Sequence, residues 1–142
     1  MNKAKIVLLA AIAAGIAAAA FWTNGSSKRP AADASAGNVA AEVVVPTTFS
    51  AEAQMGERAF NGVCATCHGA NAAGSKLGPP LVHRIYEPSH HGDQAFEMAA
   101  ANGVRAHHWR FGDMPPQPAL TKADLRTVIA YVRELQRANG IQ

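Results

Sequence analysis

Two cysteines and a histidine stand together in the run Cys64-Ala65-Thr66-Cys67-His68. A C-x-x-C-H pattern is the attachment signature of a c-type haem. On one helical turn, the two thiols are spaced to add across the two vinyl groups of the porphyrin, and the next imidazole can bind the iron as an axial ligand. The 142-residue sequence contains no other cysteine. We therefore expect one covalently attached haem c.

Three other uses of paired cysteines fit this sequence less well. A structural zinc site needs four ligands, usually from two such pairs, and the chain has one pair. A thioredoxin-like redox pair accompanies a strand–helix–strand pattern, which does not follow here. A disulfide between Cys64 and Cys67 would close a very short loop and stabilise the fold little. The motif therefore favours covalent haem.

Length and charge indicate a small carrier rather than a nucleic-acid-binding protein. The formal net charge is +3, but residues 49–142 contain nine Lys or Arg and eight Asp or Glu. No nucleic-acid partner is expected, because such a partner requires a basic surface. A hydrophobic core of this size is marginal on its own, and a buried haem would add apolar contact area to it.

The N-terminal region has the features of a targeting segment. Lys3 and Lys5 precede a run over residues 6–22 that has no charged or strongly polar side chain. Residues 18–20 offer an Ala-x-Ala pattern for cleavage of a signal peptide. The uncharged stretch nevertheless continues through residues 6–27, which is long enough to span a bilayer as a helix. We favour an uncleaved anchor, and either interpretation places the rest of the chain in the periplasm, at the inner membrane.

The remaining chain divides into a linker and a folded domain. Residues 24–48 are rich in Gly, Ser, Ala and Pro and have no apolar period, which is typical of a flexible linker. The valine triplet just before Pro46 is more consistent with extended chain than with a strand. We predict a signal peptide or membrane anchor over 1–23, a flexible linker over 24–48 and a haem domain over 49–142.

Helical patterns account for the folded part, so we predict an all-α domain. Ser50 is suited to cap a first helix that includes residues 52–60. A middle helix is predicted over residues 92–102, with Asp93 or Ser89 as its cap. A last helix follows Thr121-Lys122-Ala123-Asp124, which resembles a capping box. Its apolar stripe has helical spacing: Leu125, Val128, Ile129, Val132 and Leu135.

Residues 50–138 resemble the class I cytochrome c family. Gly56 and Phe60 are a glycine and an aromatic residue four positions apart, where that family's first helix crosses its last, and Tyr131 is the aromatic residue on the last helix. The resemblance implies the class I cytochrome c fold. In that fold the N- and C-terminal helices cross beside a covalently bound haem.

The resemblance also implies a set of haem-contacting residues. In the Gly-Pro-Pro-Leu stretch, the carbonyl of Pro79 would accept a hydrogen bond from His68, and Leu81 would contact the haem face. Met114 stands before Pro115 and matches the family's methionine ligand. The implied axial ligands of the iron are therefore His68 and Met114, with Cys64 and Cys67 as attachment points.

The sequence is also enriched in histidine. Beside His68, five histidines lie between the Gly-Pro-Pro-Leu stretch and Met114: His83, His90, His91, His107 and His108. His107 or His108 could replace Met114 as the haem ligand, or the pairs His90-His91 and His107-His108 could meet and bind copper or zinc. Alternatively, all five are polar surface residues near the haem edge. Candidate partners for the haem propionates follow in the same loop: Arg105, Trp109 and Arg110.

Two functions are compatible with these residues. The first is a one-electron carrier between redox complexes at the periplasmic face of the membrane, with no enzymatic turnover because both axial positions of the iron are filled. The second is a metal-handling or sensing protein, or an open-site haem enzyme, in which the histidines bind a metal or a substrate. A weaker third possibility is a subunit that transfers electrons within a fixed oxidase or dehydrogenase.

Overall fold

The computed structural model describes residues 42–142, and the regular structure in this range is helical. The α-helices are α1 (Ala51–Val63), α2 (Ala65–His68), α3 (Asp93–Asn102) and α4 (Lys122–Ala138), and two 3₁₀ turns cover Ala70–Ala72 and Arg84–Tyr86. An isolated antiparallel bridge joins Val104 to Met114. The predicted all-α class is therefore confirmed for the part of the chain that the structure describes.

Helix α1 begins where the sequence predicts. The Ser50 hydroxyl accepts a hydrogen bond of 3.1 Å from the N–H of Ala53, which satisfies one of the free donors of the first turn. The helix continues past Phe60 to Val63. At Cys64 the chain passes directly into α2, so the cysteine motif follows the helix without an intervening loop.

Helix α4 begins with the predicted capping box. The Thr121 hydroxyl accepts a hydrogen bond of 3.1 Å from the N–H of Asp124, and the Asp124 carboxylate accepts one of 3.0 Å from the N–H of Thr121. Hydrogen bonds from the side chain and backbone of Thr121 hold the pKa of Asp124 below its usual value. The helix start is therefore determined by four residues of local sequence.

Helices α1 and α4 cross at Gly56. A Cβ atom at this position would overlap the backbone carbonyl of Thr127, so the crossing requires glycine. One turn further, the rings of Phe60 and Tyr131 pack with centroids 5.5 Å apart, and both side chains are fully buried. The helix contact that the resemblance implied is present.

Helix α3 is capped differently from the sequence prediction. Its N-cap is Gly92, which has no side chain to bond, rather than Ser89 or Asp93. Asp93 is the first helical residue, and its carboxylate pairs with Arg133 of α4 at 2.8 Å. The helix ends at Gly103, whose φ of 74° is a conformation that glycine adopts without strain.

The chain before α1 is extended and packs against the domain. Val43 contacts the main hydrophobic core, and the N–H and C=O of Val44 both bond to the side-chain amide of Asn139 at 2.9 Å. The predicted anchor over 1–23 lies outside the described residues, as does most of the linker over 24–48. Both stay predictions, as does the domain boundary at residue 49. Between residues 42 and 142, no helix is long and apolar enough to cross a membrane.

Candidate haem-binding site

One cavity brings together all six residues that the sequence assigned to the haem. Its volume is about 470 Å³, within the range of roughly 300–1,000 Å³ that encloses cofactor-sized ligands. The assigned residues that line it are Cys64, Cys67, His68, Pro79, Leu81 and Met114. Apolar side chains of α1, α3 and α4 complete much of the wall: Phe60, Val63, Phe96, Ala99, Leu125 and Val128. The donor set and the apolar walls fit a covalently attached haem.

The two cysteines lie at the junction of α1 and α2 as free thiols. Cys64 is half-buried and Cys67 is exposed. Burial, with a smaller contribution from Cys67, raises the pKa of the Cys64 thiol to about 11. The Cys64 side chain is therefore a protonated thiol at neutral pH.

His68 is fixed in the form that binds metal. Its Nδ1 donates a hydrogen bond of 2.8 Å to the carbonyl oxygen of Pro79, as the resemblance implied. This bond leaves the lone pair of Nε2 free for an axial bond. Burial lowers the pKa of the imidazole, and the bond to Pro79 opposes that shift in part. His68 is therefore held neutral, which ligation requires.

The loop after His68 folds back onto the cysteine motif. The N–H of Gly74 bonds to the carbonyl of His68 at 2.7 Å, and the hydroxyl of Ser75 bonds to the carbonyl of Cys67 at 2.6 Å. A Cβ on Gly69 would overlap the carbonyl of Gly74. The loop is therefore closed by backbone contacts too short for a larger residue at position 69.

Met114 is held at the cavity by its backbone. Its N–H and C=O each bond to Val104 at 2.9 Å. A Cβ on Gly103 would lie 2.5 Å from the Met114 carbonyl, so the end of α3 packs tightly on this loop. Met98 of α3 also lines the cavity, and it is 55% exposed. Two methionines therefore line the same cavity, Met98 from within α3 and Met114 from the loop that packs on the end of α3.

The two histidine pairs meet at the rim of this cavity. The ring centroids of His90 and His108 are 5.5 Å apart, those of His91 and His108 are 5.2 Å apart, and those of His107 and His108 are 4.2 Å apart. Partial burial and the charges of the other three rings lower the pKa of His108. His91, His107 and His108 also line the haem cavity. His83 lies apart from the group, edge-on to Trp109.

Trp109 has a different partner from the one that the sequence suggested. Its indole N–H, the one donor that the sequence offered to a haem propionate, donates instead to the hydroxyl of Tyr86 at 3.1 Å. Tyr86 in turn packs against His91, with ring centroids 5.3 Å apart. Through its bond to Tyr86, Trp109 therefore helps to hold the residue that packs against His91.

Sequence reasoning missed two buried polar residues of α4, Arg133 and Gln136. The Arg133 guanidinium donates to the backbone carbonyls of Tyr86 and His91 at 2.7 and 2.6 Å and to the side chain of Gln136 at 2.6 Å. Gln136 donates to the carbonyls of Leu81 and Tyr86. A signal was available, because Arg133 and Gln136 stand four and seven positions after the buried Ile129, on the same helix face.

Fold and cavity together define an all-α domain built to carry a covalent haem. Residues 53–136 match the family described as Cytochrome c, and the chain belongs to that family. The recognition of a class I c-type cytochrome is thereby confirmed, and membership implies a covalently bound haem c and electron transfer.

The similarity to a curated relative is consistent with membership of this family. The chain is 36% identical over 86 residues to the Cbb3-type cytochrome c oxidase subunit CcoP of Rubrivivax gelatinosus. The match covers 59% of this chain and 26% of that subunit, so the chain spans about a quarter of its relative's length. No solved structure matches the chain.

Proposed function

We propose that the chain is a single-haem electron carrier that passes one electron at a time between redox complexes at the periplasmic face of the inner membrane. One observation carries the proposal: a single cavity contains both thiols of the motif, a neutral imidazole with a free Nε2 and a methionine. When bound there, the haem supplies a one-electron couple.

Each of these residues has a separate task. Cys64 and Cys67 attach the cofactor, and His68 offers Nε2 to the iron. The Pro79 carbonyl fixes the orientation of that imidazole and increases its basicity. Met114 would offer a soft thioether to the same iron, a ligand that favours the reduced metal. With His68 and Met114 both bound, the iron would have no free position for a substrate, and no turnover is expected.

Much of the cavity wall is apolar and would shield part of the cofactor from water. Leu81 and the apolar residues of α1, α3 and α4 line its interior, and exclusion of water tunes the potential of an enclosed metal. Cys67 is exposed. The side of the cavity at Cys67 is one of its exposed parts, and we expect a redox partner to approach there.

A methionine ligand is favoured over a second histidine. His107 and His108 both line the cavity, but their rings pack on each other, and His108 also packs on His90 and His91. A bis-histidine haem would require His107 or His108 to leave these ring contacts, whereas Met114 is held at the cavity by its two backbone bonds to Val104.

The spectrum of the purified, oxidised full-length protein tests this assignment. We expect the far-red sulfur-to-iron charge-transfer band in the wild type and its loss in Met114→Ala. Met98→Ala tests the second methionine of the cavity and should keep the band. Met55→Ala is the matched control, because Met55 is 49% exposed and lies outside the cavity. A wild type without the band would remove Met114 from the ligand set.

The charge pattern of residues 1–27 supports attachment to the membrane. The likeness to an oxidase subunit supports membrane redox complexes as partners. We expect the haem protein in the membrane fraction of cells. Replacing residues 1–23 by a cleavable signal peptide should move it to the soluble periplasmic fraction. A wild-type protein that is already soluble and shortened would show a cleaved signal peptide instead. Co-purification with an oxidase would favour a fixed subunit over a free carrier.

A further inference from the structure

The histidine cluster is made of two pairs from opposite ends of α3. His90 and His91 precede the helix and His107 and His108 follow it, yet one side-chain nitrogen from each of His90, His91 and His108 lies within 4.8 Å of the others. Nitrogens that share one ion at metal–nitrogen bonds of about 2.0–2.1 Å are about 2.9 Å apart in a square-planar arrangement and about 3.3 Å apart in a tetrahedral one. His90 and His108 are exposed, so small rotations of their rings close the difference.

His91 is already oriented as a ligand. Its Nδ1 donates a hydrogen bond of 2.6 Å to the carbonyl of Ile85, which leaves the lone pair on Nε2. A carbonyl acceptor of this kind normally fixes the imidazoles that bind metals. The backbone of His91 is fixed as well, because its N–H bonds to Glu87 at 2.8 Å and its carbonyl accepts from Arg133 at 2.6 Å. The cluster therefore has one rigid ligand and two adaptable ones.

The fourth histidine increases the number of donors. The ring centroid of His107 is 4.2 Å from that of His108, and its Nδ1 bonds to the carbonyl of Arg105, so its Nε2 is also free. His107 can therefore serve as a fourth ligand of the ion or as an outer-sphere partner of the other three histidines. The four donors are thus imidazole nitrogens without a carboxylate among them, which favours Cu²⁺ or Zn²⁺ over Mg²⁺, Ca²⁺ and Mn²⁺.

We propose that His90, His91 and His108 form a binding site for one divalent transition-metal ion, with Cu²⁺ preferred, at the rim of the haem cavity. The preference follows the general order of affinities, in which nitrogen donors bind Cu²⁺ more tightly than Zn²⁺. Because His91 and His108 also line the haem cavity, the ion would lie beside the haem rather than at a remote surface.

The test uses the full-length, haem-loaded, oxidised protein without a polyhistidine tag. Equilibrium dialysis against buffered Cu²⁺, and separately Zn²⁺, is followed by metal analysis. We expect one copper per chain in the wild type and at least a hundredfold weaker binding in His90→Gln/His108→Gln, which changes two exposed side chains. His83→Gln is the matched control and should bind like the wild type. Zinc should bind more weakly than copper.

Spectroscopy separates this site from the other uses of the same residues. The electron paramagnetic resonance spectrum of the bound Cu²⁺ should show splitting from several nitrogens in the wild type, and that splitting should be lost in the double variant. Equal copper uptake by wild type and double variant would mean adventitious binding and would overturn the proposal. If His108→Gln loses the wild-type spectral features that report the axial ligands of the haem, His108 is a ligand of the iron. That result would also overturn the proposal. Neither outcome depends on whether the protein carries electrons.

Discussion

The two sides of the haem cavity are built by different means. On the cysteine side, α1 runs directly into the motif, and the Pro79 carbonyl holds the His68 imidazole from only 11 residues away. On the histidine side, the two pairs stand at opposite ends of α3, and Arg133 holds the backbone of His91 from 42 residues away. Attachment chemistry is therefore encoded in one continuous stretch, whereas the histidine cluster depends on the assembled fold.

The largest expected effect is on the cysteine side. Cys64→Ala/Cys67→Ala removes both attachment points, so we expect complete loss of haem that resists denaturation, measured by haem staining after denaturing electrophoresis. The single variant Cys67→Ala keeps one thiol and should retain some covalent haem. Covalent haem in the double variant would show that the attachment does not use these thiols.

The second effect is on the helix crossing that supports both sides. Gly56→Ala forces a Cβ into the carbonyl of Thr127, and we expect a loss of about 3 kcal/mol in unfolding free energy, at the upper end for an overpacked site. Gly62→Ala is the matched control in the same helix. A Cβ there meets no atom within 4 Å, so we expect a gain of about 0.5–1 kcal/mol from the better helix former. Denaturant titration measures both, and equal effects would refute the close crossing.

The third effect should fall on the histidine side alone. Arg133→Met leaves the carbonyl of His91 without its buried donor and removes one of the two donors to the carbonyl of Tyr86, at a cost of about 2 kcal/mol in unfolding free energy. Copper affinity should also fall about tenfold, because partners that orient a ligand contribute to metal binding. The His68 environment should not change, so the haem spectrum tests whether the two sides are separate.

Arg137→Met is the control for that experiment. The Arg137 side chain is 58% exposed and its pair with Glu134 spans 4.0 Å, a kind of contact that contributes less than about 1 kcal/mol. We expect wild-type stability and copper affinity. If both arginine variants behave alike, the network around Arg133 does not hold the histidine side.

The smallest effect is at the start of α4. Thr121→Ala should lower the unfolding free energy by about 1 kcal/mol, the usual loss when an N-cap side chain is removed. The pKa of Asp124 is lowered by its bonds to Thr121 from 3.8, so the stabilisation from that carboxylate is present above this value and is lost as the pH falls through the lower folded value. The difference in unfolding free energy between wild type and variant should therefore narrow as the pH falls below 3.8. A difference in unfolding free energy that does not change with pH would show that the Asp124 carboxylate does not contribute to the cap.

Local sequence predicted those parts of the molecule that depend on spacing over a few residues. Ser50 and the pair Thr121 and Asp124 were identifiable as caps, because the bonding atoms lie within three positions of each other. The bond between His68 and Pro79 was available from a family pattern in a short stretch. The cavity contains the six residues that the cysteine motif and the family pattern assigned to the haem site.

Contacts between distant segments were not predictable in the same way. The meeting of the histidine pairs stayed one of three possibilities, because periodicity does not say how the ends of α3 approach each other. Trp109 was paired with a propionate because Tyr86, its actual partner, lies 23 residues away. Asp93 was predicted as one of two possible caps of α3. Its carboxylate instead accepts a hydrogen bond from the guanidinium of Arg133, which stands 40 positions further along the chain.

The bonds between Val44 and Asn139 hold the two ends of the domain side by side. A short connection between these ends would close the backbone into a ring without disturbing α1 or α4, and adjacent ends are what makes circular permutation possible. The order in which the helices follow one another along the chain is therefore separable from the haem cavity they enclose. The cysteine motif could stand near the beginning, the middle or the end of a rearranged gene and still fold against the same walls.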